Sequence, residues 1–194
     1  MRQLHLLIRH LCTLSVVTLL TSCAAHHAQD MQQAENDNGI VTNNPRFSQD
    51  FSARLPQHIN TDGKKMVLVD PNVHAWGAYA PDGNLIRAGI ATAGGPSCPP
   101  DADQEDCHTG IGTFRITSLG GEGCYSKKYP RPHGGGLMPY CMYFNNGQAL
   151  HGSPDNIVIE DNVSHGCVRM RIPDAEWMRN NFAQVGTRVV VKAY

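Results

Sequence analysis

The sequence is poor in the features that would place it quickly. Aromatic residues make up 7 % of the 194 and charged residues 17 %, with a formal net charge of -1. A chain so nearly neutral has no whole-surface field to draw a polyanion, so nucleic acid is excluded as a charge-driven partner. An acidic solvating tail is excluded on the same ground. The main apolar run, Leu11 to Leu20, is broken by Thr13, Ser15 and Thr18, and falls well short of the ~20 apolar residues of a spanning helix. No two cysteines stand in the close C-x-x-C spacing of many zinc sites. What the chain has instead is 19 glycines and 12 prolines, which disfavour long helices and point to a turn-rich fold. It also has seven cysteines, many for a reducing compartment.

The amino terminus speaks to location. Arg2 and Arg9 precede an apolar stretch with the length of a secretory h-region. The stretch ends at Leu20-Thr21-Ser22-Cys23, which resembles the lipobox of bacterial lipoproteins, where the cysteine becomes the lipidated first residue. Residues 1–23 are therefore expected to be an export signal with lipidation at Cys23. That would place the protein in the bacterial periplasm or cell envelope, touching membrane only through its acyl chains. Each buried methylene would contribute about 0.8 kcal/mol. A plain signal cleaved within Ala24-Ala25-His26-His27-Ala28 is the alternative. Residues 24–63 read as a tether, because the stretch from Gln29 to Gly39 is polar and aperiodic. A flexible chain of about 40 residues spans roughly 35 Å. Phe47, Phe51, Leu55 and Ile59 recur at helical spacing and offer a docked arm as the other reading.

Residues 64–194 read as one mainly β domain. Met66 to Val69, His74 to Ala80 and Asn84 to Ala91 are short β-type runs, and Pro81-Asp82-Gly83 supplies a hairpin turn between the last two. Ile111 to Thr117 alternates. Met138 to Phe144 leads through Asn145-Asn146-Gly147 into Gln148-Ala149-Leu150, again hairpin chemistry. Ile157-Val158-Ile159 is a brief candidate strand, and Arg188 to Lys192 a closing one. A single helix is marked late, with Pro173 at its start, Asp174 and Glu176 in its first turn, and Ala175, Met178 and Phe182 along one side. Short strands with one late helix suggest a mixed β-sandwich or barrel. Two long excursions rich in Gly, Pro and Cys flank the strand at 111–117, and loops of that length are commonly functional.

The chemistry concentrates in Leu150-His151-Gly152-Ser153 and Ser164-His165-Gly166-Cys167-Val168-Arg169-Met170. Cysteine-based acyl transfer needs a thiol, a base to take its proton, a group that orients the base, and donors for the oxyanion. An imidazole supplies the base. A glycine before the cysteine lets backbone N–H groups approach a developing negative charge. The two strings together resemble the signature of the L,D-transpeptidase (YkuD-type) catalytic domain: His, a gap in the mid-teens, then Ser or Thr, His, Gly, Cys and a further Arg. Gly110-Ile111-Gly112-Thr113-Phe114-Arg115-Ile116, Met138-Pro139-Tyr140 and Asp174-Ala175-Glu176-Trp177 resemble flanking segments of the same family. The resemblance implies Cys167 as nucleophile, His151 as general base, and the Gly152 backbone carbonyl as its orienting partner. Gly166 and Cys167 N–H groups are then the oxyanion donors, with His165 and Ser164 bracing the turn. Arg169 is expected at a substrate carboxylate or in a bracing ion pair, and Tyr140 at the substrate. The implied substrate is a peptidoglycan stem peptide, cut before its terminal D-Ala and passed through a thioester to an amine, with no metal or organic cofactor. A carboxypeptidase using water, and a wall-binding lipoprotein with little turnover, are the alternatives.

The remaining cysteines follow by arithmetic. With Cys12 in the signal, Cys23 lipidated and Cys167 catalytic, Cys98, Cys107, Cys124 and Cys141 are left, and four cysteines allow three pairings. Cys98–Cys107 with Cys124–Cys141 is preferred, because each bond would staple one excursion for about 2–4 kcal/mol. A zinc site using some of them with His108 or His133 is the rival reading. Tyr125, Tyr129, Tyr140 and Gly134-Gly135-Gly136 suggest that the second excursion is a mobile lid over the thiol, and a stapled surface loop away from the site is the alternative.

Overall fold

The computed structural model describes residues 50–194. The expected export signal, Cys23, and residues 24–49 of the tether with Phe47 lie outside the described residues. The strands are β1 (Met66–Asp70), β2 (Ala75–Tyr79), β3 (Leu85–Ile90), β4 (Gly112–Arg115), β5 (Ser118–Leu119), β6 (Met142–Asn145), β7 (Gln148–Ser153), β8 (Val168–Arg171) and β9 (Arg188–Val191). They form a five-stranded sheet in the order β3-β2-β1-β9-β4 and a four-stranded sheet in the order β5-β6-β7-β8. Helix α1 (Ile172–Trp177) starts with proline in its first turn and widens into a π turn over Met178–Phe182. The expected mainly β fold with one short helix after Cys167 is what the structure has.

Both marked hairpins form. β2 and β3 pair antiparallel across Asp82-Gly83, and β6 and β7 across Asn146-Gly147. Two contacts are parallel, β1 with β9 and β7 with β8, and each needs a long crossover that sequence patterning does not announce. β8 was not anticipated as a strand. Its alternation is legible, but the string reads first as chemistry. Ile157-Val158-Ile159 is not a strand. A 3-10 turn covers Asp155–Ile157, the Val158 N–H donates to the Asp155 carbonyl, and Ile159 bonds to the Thr92 hydroxyl instead of a ladder.

Strand alternation explains the core. Val67 and Val69 of β1, Val189 and Val191 of β9, and Trp76 of β2 point inward. They meet Met142, Phe144, Leu150, Val168 and Met170 of the other sheet, with Ala175, Met178 and Phe182 closing one side. Leu68, on the opposite face of β1, packs outward with Tyr79 and Ile90 against Phe51, Leu55 and Val158. Residues 50–63, assigned from sequence to the tether, are thus packed onto the five-stranded sheet. Phe51–Arg54 forms a 3-10 turn capped by Asp50, whose carboxylate accepts from the Ser52 N–H at 3.0 Å. The fully buried Arg54 side chain is held by Glu160 at 2.8 and 2.9 Å and by the Val73 carbonyl at 3.1 Å. An outward-facing strand surface this apolar has to be covered, and the segment before residue 64 carries the apolar residues that cover it.

Candidate active site

The site grows out of the parallel pair β7–β8. Its register sets Leu150 against Val168, His151 against Arg169, and Gly152 against Met170. Leu150, Val168 and Met170 point into the core, so alternation turns His151 and Arg169 to the other face. Cys167 lies two residues before Arg169 and faces the same way. Extending the register by one step puts Cys167 opposite Ala149 and so on the diagonal from His151. Cys167 and His151 therefore stand on the same face of the sheet, on neighbouring strands two residues out of step. One cavity of about 410 Å³ is lined by His151, Cys167 and Arg169 together. The fold therefore brings together residues 151 and 167, as the spacing required.

The imidazole is fixed. His151 Nδ1 lies 2.8 Å from the Gly152 carbonyl oxygen, which only accepts, so Nδ1 carries the proton and Nε2 the lone pair. The Ser153 hydroxyl stands 3.4 Å from the same nitrogen. Burial drives the His151 pKa down to about 4, and the Arg169 charge adds to the effect, while the Gly152 bond opposes it. Burial also pushes the Cys167 thiol up, opposed by the Ala149 backbone amide and by Arg169. Both displacements favour neutral forms. The local environment thus disfavours the thiolate–imidazolium ion pair that cysteine–histidine chemistry often uses. Cys167 is half-buried and free, and its sulfur faces the Gly147 carbonyl at 3.9 Å.

The turn that presents the sulfur is braced from inside. The Ser164 hydroxyl donates to the Cys167 carbonyl and accepts from the Gly166 N–H at 3.1 Å. In this structure the Gly166 amide expected to face an oxyanion is thus engaged with Ser164. Gly166 has φ +114°, and a Cβ there would stand 2.9 Å from the Gln148 side-chain nitrogen, so only glycine fits. Sequence reasoning missed the buried Thr109, whose hydroxyl donates to the Gly166 carbonyl at 2.9 Å and accepts from the Gly94 N–H at 3.0 Å. It also missed Gln148, which bonds the His108 carbonyl at 3.1 Å and the Gly110 N–H at 2.9 Å. A threonine and a glutamine carry no signal at sequence level. Their role appears only once loop and turn are adjacent.

Both preferred disulfides form, Cys98–Cys107 and Cys124–Cys141, with Cα separations of 5.2 and 6.1 Å. The zinc reading thereby loses its thiolates, and among the described residues no group of three potential ligands gathers. The Cys124–Cys141 excursion contributes Ser126, Tyr129, Pro130, Leu137 and Met138 to the cavity wall, so it does lie over the thiol. Tyr140 is a correction. It is not among the lining side chains but packs on the main core, at φ +59°, with its phenol beside Glu176. Its backbone N–H is tied to the Gly121 carbonyl at 2.9 Å, which holds it at the base of the excursion.

Comparison with known proteins agrees with this geometry. The family model described as "L,D-transpeptidase catalytic domain" (YkuD) matches residues 64–191. A curated Bacillus subtilis protein named "Putative L,D-transpeptidase YciB" is 28 % identical over 197 residues, 93 % of this chain and 96 % of the relative. Among solved structures, an L,D-transpeptidase from Xylanimonas cellulosilytica superposes with TM-score 0.60 at 22 % identity, over 72 % of this chain and 67 % of that one. L,D-transpeptidase 3 from Mycobacterium tuberculosis, solved with a faropenem-derived adduct, gives TM-score 0.52 at 18 % identity, over 66 % and 60 % of the two chains. The chain spans less than two thirds of that mycobacterial chain. With the family model covering more than half of its length, the chain belongs to the L,D-transpeptidase catalytic domain family.

Proposed function

We propose that this chain is an exported peptidoglycan L,D-transpeptidase with Cys167 as acyl carrier and His151 as base. One observation carries the reading. A free thiol and a buried imidazole with its Nδ1 committed to Gly152 share one cavity wall with Arg169, on adjacent parallel strands.

The donor is a tetrapeptide stem, and the bond cut lies between its third residue and the terminal D-Ala. Cys167 Sγ attacks the carbonyl carbon while its proton passes to His151 Nε2. A buried imidazole with a pKa near 4 holds that proton poorly at rest. Transfer is therefore coupled to carbon–sulfur bond formation, when negative charge beside the ring supports the imidazolium. The oxyanion is met by backbone N–H groups of the Gly166–Cys167 turn, and the first of these must then exchange its Ser164 partner for the substrate. One such donor is worth about 2.7–4 kcal/mol in kcat. The carbon–nitrogen bond breaks, D-Ala leaves with the proton from His151, and a thioester remains. An acceptor amine enters, loses a proton to the same nitrogen, and takes the acyl group, returning the thiol. Arg169, opposite His151 in the register, favours the thiolate and is placed to meet a substrate carboxylate.

The amino-terminal segment fits delivery to the envelope, with residues 1–23 as signal and Cys23 as the lipid anchor. The two disulfides suit an oxidising compartment. The mass of the membrane-extracted protein, compared with a Cys23→Ala variant, tests the anchor.

Incubation with purified tetrapeptide muropeptides and mass analysis of the products tests the reaction. Release of D-Ala with joined or amine-exchanged stems supports transfer. Release with tripeptides alone makes the enzyme a carboxypeptidase. An unchanged muropeptide pool removes the reading.

A further inference from the structure

His165 precedes the Gly166-Cys167 turn, and its imidazole is gripped from two directions. Asp101 Oδ1 lies 2.7 Å from His165 Nε2, and the Tyr129 ring stacks on the imidazole at a centroid distance of 4.0 Å and an interplanar angle of 28°. The two grips come from different stapled loops. Asp101 lies between Cys98 and Cys107, and Tyr129 between Cys124 and Cys141. Asp101 also joins the loops directly, because its second oxygen accepts from the Arg131 N–H at 3.2 Å. Its neighbour Asp103 accepts from the Tyr129 hydroxyl at 3.1 Å and pairs with Lys128 at 2.9 Å and with Arg131. The Gln104 side chain donates to the His165 carbonyl at 3.3 Å. The Cys98–Cys107 loop therefore holds both the ring and the backbone of the residue two places before the sulfur. His165 and Tyr129 both line the cavity, so any drift of this imidazole moves the cavity wall and the turn together.

We infer that Asp101 is a positioning residue for Cys167. It anchors the His165 imidazole against Tyr129, and through that ring fixes the Gly166–Cys167 turn at the angle from which the sulfur attacks. The inference rests on Cys167 being the nucleophile. Asp101 makes no contact with the sulfur and reaches the turn through the His165 ring, its other tie being to the Arg131 N–H of the neighbouring loop. The hydrogen bond from His165 holds the Asp101 carboxyl below the usual carboxylate range, in keeping with an anion that stays charged while it orients the ring. Reactive geometry is steep in position, and a misplacement of about 1 Å costs on the order of 100-fold in rate. Mispositioning of this kind shows in the rate constant for bond formation more than in binding.

The test is a double-mutant cycle on faropenem acylation of the oxidised full-length protein, followed by intact mass over a range of faropenem concentrations. Asp101→Ala is expected to lower the limiting acylation rate at least tenfold, with the half-saturating concentration within twofold of wild type. His165→Ala is expected to do the same, and the double variant to be no slower than the slower single one. Asp101→Asn, which keeps an acceptor oxygen at the ring, is expected to recover most of the rate. If Asp101→Ala does not fold, as judged by thermal melting, the cycle of Asp101→Ser, whose hydroxyl is too short to reach the ring, with His165→Gln takes its place. Its losses, too, must fail to add. Independent, multiplying losses, an unchanged acylation rate, or a loss confined to the half-saturating concentration would overturn the inference. A wild-type protein that takes up no adduct would instead overturn the proposed function, so the two failures are distinct.

Discussion

The two sheets share one core, and their outer faces are covered in opposite ways. The five-stranded sheet is sealed by Phe51, Leu55 and Val158, with the cover tied down through Arg54 and Glu160. The four-stranded sheet turns Ala149, His151, Cys167 and Arg169 outward, and the stapled 124–141 excursion arches over them, leaving a cavity of about 410 Å³. A dry plug stabilises by removing apolar area from water. A roof that leaves room gives up such burial and needs covalent and ionic ties in its place. Here these are two disulfides and the cluster of Asp101, Asp103, Lys128 and Arg131. One face therefore answers to stability and the other to chemistry.

The largest expected break is on the open face. His151→Gln should lower muropeptide turnover by about 10²–10⁴, the range for losing a general base, while leaving the melting temperature near wild type. The pH profile sharpens the same point. With the imidazole pKa near 4, the base stays neutral down to that value. The acid limb of faropenem acylation should then fall near pH 4, not near the ordinary histidine pKa of about 6.5. The folding linkage has the same sign. The unfolded chain binds the His151 proton more tightly than the folded one, so this contribution to stability is whole above about pH 6.5 and is lost as pH falls toward 4.

Next in size is the roof. Replacing Cys124 and Cys141 together by serine should cost about 3 kcal/mol in thermal or denaturant melting. Turnover should also fall at least tenfold, because Tyr129, Leu137 and Met138 lose their fixed place beside the thiol. Phe51→Ala on the sealed face should cost a similar amount, about 3 kcal/mol, yet leave the faropenem acylation rate of the folded protein within twofold. Equal destabilisation with unequal loss of activity is what the contrast between the faces requires. The smallest effect belongs to Glu160→Gln. It weakens the hold on a buried guanidinium by about 1.5 kcal/mol, read in melting, again without change in acylation.

How much of this was legible depended on the range of the contact. The hairpins at Asp82-Gly83 and Asn146-Gly147, the helix behind Pro173 and the His151–Cys167 pair were readable, because turn chemistry, first-turn proline and a dense catalytic string are local signals. The parallel neighbours β1–β9 and β7–β8 were not, since nothing in a strand of valines names its partner. The packing of residues 50–63 was half visible. Phe51 and Leu55 showed the spacing, but polar neighbours outweighed them until the apolar outer face of β1 supplied a reason to dock. Tyr140 shows the opposite error. The resemblance puts it at the substrate, whereas its half-buried ring packs against the main core with the phenol beside Glu176. Thr109 braces the Gly166–Cys167 turn, and Gln148 holds the 108–110 loop that carries Thr109; no sequence window contains both a brace and what it braces.

The account stands on Cys167 being the one sulfur on the open face that forms an acyl bond. Intact mass after incubation with faropenem, followed by peptide mapping, measures this directly. The expected result is a single adduct on the peptide carrying Cys167, absent from Cys167→Ala and strongly slowed in His151→Gln. A wild-type protein that stays unmodified, or an adduct that persists in Cys167→Ala, would contradict it.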